Sequence, residues 1–140
     1  MRIFLSNRHV GPARDMLRDM QLCGADSRAR TRLVALLDPV VEQVRQDEAQ
    51  VLQEYLVTAD DGALIYDDEG NLTLREGYTS RDVLDAQAAF REERAEITGG
   101  TYEGHRQRLI DLLNAWDAPL AGEQADTYDA LCTALEEGED

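Results

Sequence analysis

The sequence predicts a mainly α-helical (α+β) protein: a kinked long helix and about four shorter helices around one core, with a small antiparallel β-hairpin or sheet. Three observations favour this fold. Apolar residues recur at helical spacing over most of the chain. Aromatic residues make up only 6% of the sequence, so Ala, Leu and Val must fill the interior, as in packed helices. The stretch LIYDDEGNLTL, residues 64–74, interrupts the helical pattern with two apolar runs around an acidic turn.

The chain begins with a predicted strand and a short helix. The run RIFL at 2–5 is apolar and ends at Ser6 and Asn7, which both favour helix caps. In the segment 11–22, four apolar residues recur at helical spacing: Ala13, Met16, Leu17 and Met20. Cys23 and Gly24 are expected to end this helix.

The longest predicted helix runs from about Ser27 to about Val57. Its apolar stripe includes Leu33, Val34, Leu37, Val40, Val41, Val44, Val51, Leu52 and Tyr55. Pro39 lies inside it, and proline removes one backbone hydrogen bond, so we expect a kink near Leu36 or a restart with Asp38 as the cap.

The hairpin at 64–74 follows this helix, with Gly70 and Asn71 in its turn. An isolated hairpin is marginally stable in water, so it should pack on a helix or pair with strand 2–5. We expect a three-stranded sheet. No internal repeat is recognised in the sequence.

Three more helices complete the prediction. Thr79 or Ser80 caps a helix over 80–97, whose apolar face includes Phe90 and Ile97. Segments 104–116 and 123–137 each carry apolar residues at positions i, i+3, i+4 and i+7, which is typical of a helical hairpin. The terminal EEGED is expected to fray.

Length and composition predict a single domain over 1–140 in the cytoplasm of a bacterial host. A chain of 140 residues suits one core. The sequence has no apolar run of membrane-spanning length, and its start lacks the features of a signal peptide. Cys23 and Cys132 are too few for a disulfide framework, so we expect both to be reduced.

Negative charge dominates the surface that the sequence predicts. The net charge is −15, and it changes along the chain: +4 over residues 1–32, −11 over 33–116 and −8 over 117–140. This distribution opposes direct binding to nucleic acid or to a membrane, and it favours a protein partner with a basic surface. The sequence leaves a homo-oligomer open. The arginines at 28, 30 and 32 are predicted to pair with nearby acids, with phosphate contact as the alternative.

No catalytic, metal or cofactor site is predicted. Counted from Asp67, an EF-hand would need Gly and Glu where Leu72 and Tyr78 stand. The two histidines, His9 and His105, have no neighbours at metal-ligand spacing. A small enzyme that uses Cys and His is the weakest of the functional hypotheses.

The candidate partner-binding residues are acidic and fall in two groups. One group surrounds the hairpin, where the alternative is a solvated turn that discourages edge pairing. The other lies in the last helix, where the alternative is a solvated face. The residues are Asp60, Asp61, Asp67, Asp68, Glu69, Asp126, Asp129, Glu136 and Glu137.

The chain resembles a small uncharacterised protein family of phages and prophages of Gram-positive bacteria. The resemblance lies in the opening MRIFLSN, the long helix, the DDG and DDEGN turns and the helix after DAPLAG, whereas Pro39 and the acidity depart from it. It implies a mobile-element origin and no functional residues.

The predicted function is a non-enzymatic acidic binding protein, encoded by a phage, that blocks the basic nucleic-acid-binding surface of a host or defence protein by charge mimicry. The first alternative is a structural or assembly component of a phage particle, in which the long helix and the C-terminal helices bury their apolar faces against copies of the chain.

Overall fold

The computed structural model describes all 140 residues and contains five α-helices and a two-stranded antiparallel sheet. The elements, in chain order, are β1 (Arg2–Ser6), α1 (Asn7–Asp19), α2 (Gly24–Gln53), α3 (Ser80–Glu92), β2 (Arg94–Thr98), α4 (His105–Ala115) and α5 (Gly122–Glu137). The predicted fold class, mainly helical with a small antiparallel sheet, is confirmed.

One apolar core joins most of these elements. Nineteen buried residues form a single cluster; eighteen come from β1, α1, α2, β2, α4 and α5, and the other is Met20. Leu33 and Leu37 of α2 are fully buried in it, and α2 packs against α1, α3, α4 and β2. Burying one such leucine contributes about 1.5–3 kcal/mol before conformational entropy is counted. The stripe of α2 is therefore the main stabilising surface.

Helix α2 continues through Pro39 as one helix and does not restart there. Pro39 cannot donate a hydrogen bond to the carbonyl of Ala35, but both residues are exposed, so water can satisfy that carbonyl. The proline thus stands on the outer face of the helix, where its cost is smallest. The helix begins at Gly24 and ends at Gln53, a few residues before the predicted boundaries.

Strand β1 pairs with β2 and not with the hairpin, so the predicted three-stranded sheet is wrong. Ile3 lies opposite Ile97 in this antiparallel pair, and both are fully buried. The sequence of β2 was predicted to form the end of a helix over 80–97, but α3 ends at Glu92. In β2 the residues alternate, with Ala95 and Ile97 facing inward, and this period of two is typical of a strand.

The C-terminus is fixed to the sheet, in contrast to the fraying predicted for it. Arg2 N donates to Glu139 O at 2.8 Å, and Glu139 N donates to Arg2 O at 2.9 Å. Gly138 lies so close to β1 that an added Cβ would stand 2.5 Å from Ile3 Cγ2. Glycine at this position lets the chain end pass over the core.

Candidate protein-binding surface

The segment between α2 and α3 is a repeat of three octads. Leu56, Leu64 and Leu72 begin the octads LVTADDGA, LIYDDEGN and LTLREGYT, which span 56–79. In each octad the first three residues are extended, and the next residues make a turn. Only the hairpin around the second turn was predicted from the sequence, and the expectation of no internal repeat is wrong, although leucine at a spacing of eight and glycines at 62 and 70 indicate the repeat.

The three extended segments close into a ring that we name the β-triangle, residues 56–79. Its bridges are Thr58 with Leu64, Tyr66 with Leu72, and Leu74 back to Leu56. The middle residues bond in a circle: Val57 N donates to Thr73 O, Thr73 N to Ile65 O, and Ile65 N to Val57 O, at 2.8, 3.1 and 3.4 Å. Each segment therefore has two neighbours, which leaves no segment as a simple edge strand.

The corners of the β-triangle are turns that depend on glycine and aspartate. Gly62, Gly70 and Gly77 have φ of +84°, +82° and +91°, a conformation that side chains disfavour. In the second turn, Asp67 Oδ1 accepts hydrogen bonds from Glu69 N and Asn71 N, both at 2.9 Å. Asp61 Oδ1 accepts one from Ala63 N at 3.0 Å in the first turn.

The structure brings the five predicted hairpin acids together in adjacent corners of the β-triangle. All five are exposed. Asp61 and Asp67 each use one carboxylate oxygen to accept hydrogen bonds from the turn backbone, whereas the carboxylates of Asp60, Asp68 and Glu69 accept none within the chain. The three residues with unengaged carboxylates are the stronger binding candidates.

The four predicted C-terminal acids lie on a different element, α5, which packs against α1, α4 and β1. Asp126 lines a cleft of about 450 Å³ that is also lined by Arg8, Arg45 and Arg91. Glu137 lies 4.0 Å from the guanidinium of Arg94. Asp129 and Glu136 are exposed and make no ion pair. The nine predicted residues are thus divided between two elements, and on α5 only Glu137 forms an ion pair with arginine.

Arginine pairs with about half of the acids outside the β-triangle and with none of the acids inside it. Nine of the fourteen arginines form ion pairs, and their partners are eleven of the 29 acids. None of those partners lies in residues 56–79, which hold six acids and one arginine, a net charge of −5. That arginine, Arg75, donates from Nε to Leu56 O at 3.0 Å.

The arginines at 28, 30 and 32 do not pair with acids, so the prediction made for them is wrong. Arg30 donates to the carbonyls of Leu17 and Met20 at 2.8 and 2.6 Å, where the end of α1 leaves carbonyls without helical partners. Arg28 lies 4.8 Å from the ring centre of Tyr102.

Apolar side chains are exposed on the β-triangle as well. The exposed large apolar residues of the chain are Ile65, Tyr66, Leu72, Tyr78 and Leu84, and four of these five belong to the β-triangle. Their exposure was not predicted from the sequence, because the hairpin was expected to pack on a helix or to pair with strand 2–5. Only Leu56 of the β-triangle is buried.

Cys132 and His105 both lie in environments that reduce their reactivity. Burial raises the pKa of the Cys132 thiol; a hydrogen bond with Tyr128 opposes this rise, and the charges of Glu136 and Asp129 add to it. A thiol with a raised pKa is mostly protonated at neutral pH and is a weak nucleophile. Both ring nitrogens of buried His105 are engaged, Nε2 with Ala29 O at 2.8 Å and Nδ1 with the Thr101 hydroxyl.

No group of three or more His, Cys, Asp or Glu side chains is placed to hold a metal ion. None of the helices combines the length and the apolar character needed to cross a membrane.

Comparison of the chain with protein-family models, with curated proteins and with solved structures finds no match. The resemblance to a phage family therefore stays a prediction, and the function must be argued from the geometry of the chain itself.

Proposed function

We propose that this chain is a non-enzymatic acidic protein that binds a partner with a basic surface through the β-triangle. The observation that carries the proposal is the charge of residues 56–79: six carboxylates, none in an ion pair, on a unit closed by backbone hydrogen bonds. Carboxylates held in this way attract a cationic surface and repel nucleic acid and anionic lipid.

The partner, on this proposal, uses its basic surface to bind nucleic acid, and the chain blocks that surface by presenting carboxylates in place of phosphates. Such an inhibitor, encoded by a phage, acts in the cytoplasm of the bacterial host against a host or defence protein. The raised pKa of Cys132 and the engaged nitrogens of His105 support a role without catalysis.

The alternative of a particle component that assembles through its long helix and C-terminal helices has less support. The apolar residues it requires, such as Leu37, Leu113 and Leu131, are buried inside a single copy of the chain. Their burial leaves only the β-triangle and Leu84 with large exposed apolar side chains.

A pull-down from a bacterial lysate at low and at high salt, with mass spectrometry of the retained proteins, tests the proposal. Binding by charge is expected to weaken steeply as salt rises. The double variant Asp68→Arg/Glu69→Arg should lose the partner, because it reverses two unengaged carboxylates without removing the turn contacts of Asp67. A DNA or RNA oligonucleotide should compete with the wild-type chain for the retained partner.

The matched control is Glu103→Arg/Asp117→Arg, which changes the net charge equally at exposed acids that lie outside the β-triangle and form no ion pair. A partner that is retained at high salt, or that both double variants lose equally, would contradict binding by the β-triangle.

A further inference from the structure

The β-triangle combines its charge with exposed apolar side chains at one corner. Tyr66 is 61% exposed and Leu72 is 37% exposed, although both are large and apolar enough to be buried in a core. They bridge each other across the second turn, so their side chains are neighbours on the same face of the hairpin. The corner therefore presents a pair of apolar groups.

Tyr66 and Leu72 lie on one face of the β-triangle, and the side chains on that face become more exposed from Leu56 toward the second turn. Bridged residues and residues two apart share a face, so Leu56, Leu74, Tyr66 and Leu72 lie on one side of the β-triangle. Leu56 is buried and Leu74 is half-buried, whereas Tyr66 and Leu72 are exposed. The chain thus leaves most of Tyr66 and part of Leu72 uncovered at the far corner.

Three acids border this corner. Asp67, Asp68 and Glu69 lie in the turn that joins Tyr66 to Leu72, and the turn contains no basic residue. A second copy of the chain would bring the same three acids to the same place, which opposes self-association through this corner. Charge mimicry alone also gives no reason to expose a tyrosine.

We infer that the partner protein has an apolar pocket for Tyr66 and Leu72, bordered by Lys or Arg side chains that face Asp68 and Glu69. The inference rests on the proposed function, and it specifies the partner's surface. Tyrosine in a desolvated pocket is a common centre of binding energy, while charges at the rim mainly set the association rate and its dependence on salt. At this site the apolar pair adds to the affinity that the carboxylates supply, and the carboxylates give the binding its dependence on salt.

A selection from a random-sequence peptide library against the whole chain tests the inference without knowledge of the partner. We expect the recovered peptides to combine Lys or Arg with aromatic or aliphatic residues. Their dissociation constants, measured by fluorescence anisotropy, should rise at least about tenfold for Tyr66→Ser and for Leu72→Ser. The control Leu84→Ser removes a side chain that is 58% exposed on α3, outside the β-triangle, and should leave the constants unchanged.

The outcomes separate this inference from the proposed function. Peptides that are merely basic, with binding lost in Asp68→Arg/Glu69→Arg and unchanged in Tyr66→Ser, would overturn the apolar pocket and leave the proposed function standing. Recovered peptides without basic residues would overturn both. A dimer detected by sedimentation and lost in Tyr66→Ser would identify a second copy as the occupant and would also overturn the inference. Circular dichroism and the thermal midpoint of Tyr66→Ser should match those of the wild type, because its side chain is exposed.

Discussion

The helical part of the molecule and the β-triangle are stabilised in different ways. The helices and the β1–β2 pair bury a cluster of nineteen apolar residues and engage nine arginines with acids. The β-triangle buries only Leu56 and leaves its six acids without ion pairs. What closes it is the circle of backbone hydrogen bonds among Val57, Ile65 and Thr73. Because backbone hydrogen bonds close the β-triangle, most of its side chains are not needed for packing and are free to contact a partner.

The largest difference between the two regions is expected for the same substitution made in each. Leu37→Ala removes a fully buried side chain from α2 and should lower the free energy of unfolding by about 2–5 kcal/mol. Leu72→Ala, at a side chain that is 37% exposed, should cost less than about 1 kcal/mol. Urea denaturation followed by circular dichroism measures both changes. Equal losses would mean that the β-triangle has a core of its own.

Substitution of Arg30 is expected to cause the next largest loss of stability, because its guanidinium binds carbonyls at the end of α1 and pairs with no acid. Arg30→Ala removes charged hydrogen bonds to the carbonyls of Leu17 and Met20, and we expect it to cost about 1.5–3 kcal/mol. The control Arg32→Ala changes an exposed arginine that makes no hydrogen bond or ion pair in the chain. Its effect should stay within about 0.5 kcal/mol in the same urea experiment. Similar losses of unfolding free energy for both variants would mean that Arg30 contributes no more than an ordinary exposed arginine.

The fold class was predictable from the sequence because apolar periodicity marks core-facing helices over long windows. The helical prediction failed where the signal is short. Residues 94–98 offer only two inward positions, Ala95 and Ile97, and their strand character depends on a partner, β1, that lies 88 to 96 residues earlier in the sequence. A local pattern of five residues does not contain that partner.

The acidic part of the candidate surface was predictable, because charge in a glycine-containing turn is visible directly. Its apolar part was not. Tyr66 and Leu72 lie in the short runs LIY and LTL, which are typical of half-buried strands, and nothing local shows that the closure of three octads leaves their corner exposed. The sequence also does not distinguish the roles of Asp67 and Asp68. Only the backbone geometry shows that Asp67 accepts two hydrogen bonds in the turn and that Asp68 does not.

Two glycines test how each region constrains its backbone. Gly138→Ala places a Cβ 2.5 Å from Ile3 Cγ2 and 2.9 Å from Arg2 O, so the chain end must shift away from β1, at a cost of about 1–3 kcal/mol. Gly70→Ala meets no atom within 4 Å, but its φ of +82° disfavours a side chain by about 1–2 kcal/mol.

Hydrogen exchange distinguishes the two glycine variants. Gly138→Ala should accelerate exchange at Arg2 N and Glu139 N, and Gly70→Ala should accelerate it at Asp67 N and Thr73 N. Faster exchange at the same amides in both variants would contradict the separation of the two regions.

The smallest expected effect concerns two adjacent aspartates in the β-triangle. Asp67→Ala removes the acceptor for Glu69 N and Asn71 N and should destabilise the second turn by about 1 kcal/mol. Asp68→Ala removes an exposed carboxylate with no hydrogen bond, and its cost should stay below about 0.5 kcal/mol. Amide exchange at Glu69 and Asn71 should become faster in the first variant only.

Asp67→Asn is the matched control for Asp67→Ala, because the amide oxygen of asparagine can accept the same two hydrogen bonds without the negative charge. If exchange at Glu69 and Asn71 stays slow in Asp67→Asn while peptide binding is unchanged, Asp67 serves the turn and Asp68 and Glu69 serve the partner. If the amides of Glu69 and Asn71 exchange at the same rate in Asp67→Ala and in Asp68→Ala, the carboxylate of Asp67 is not needed for the turn. Its charge then belongs with those of its two neighbours at the binding corner.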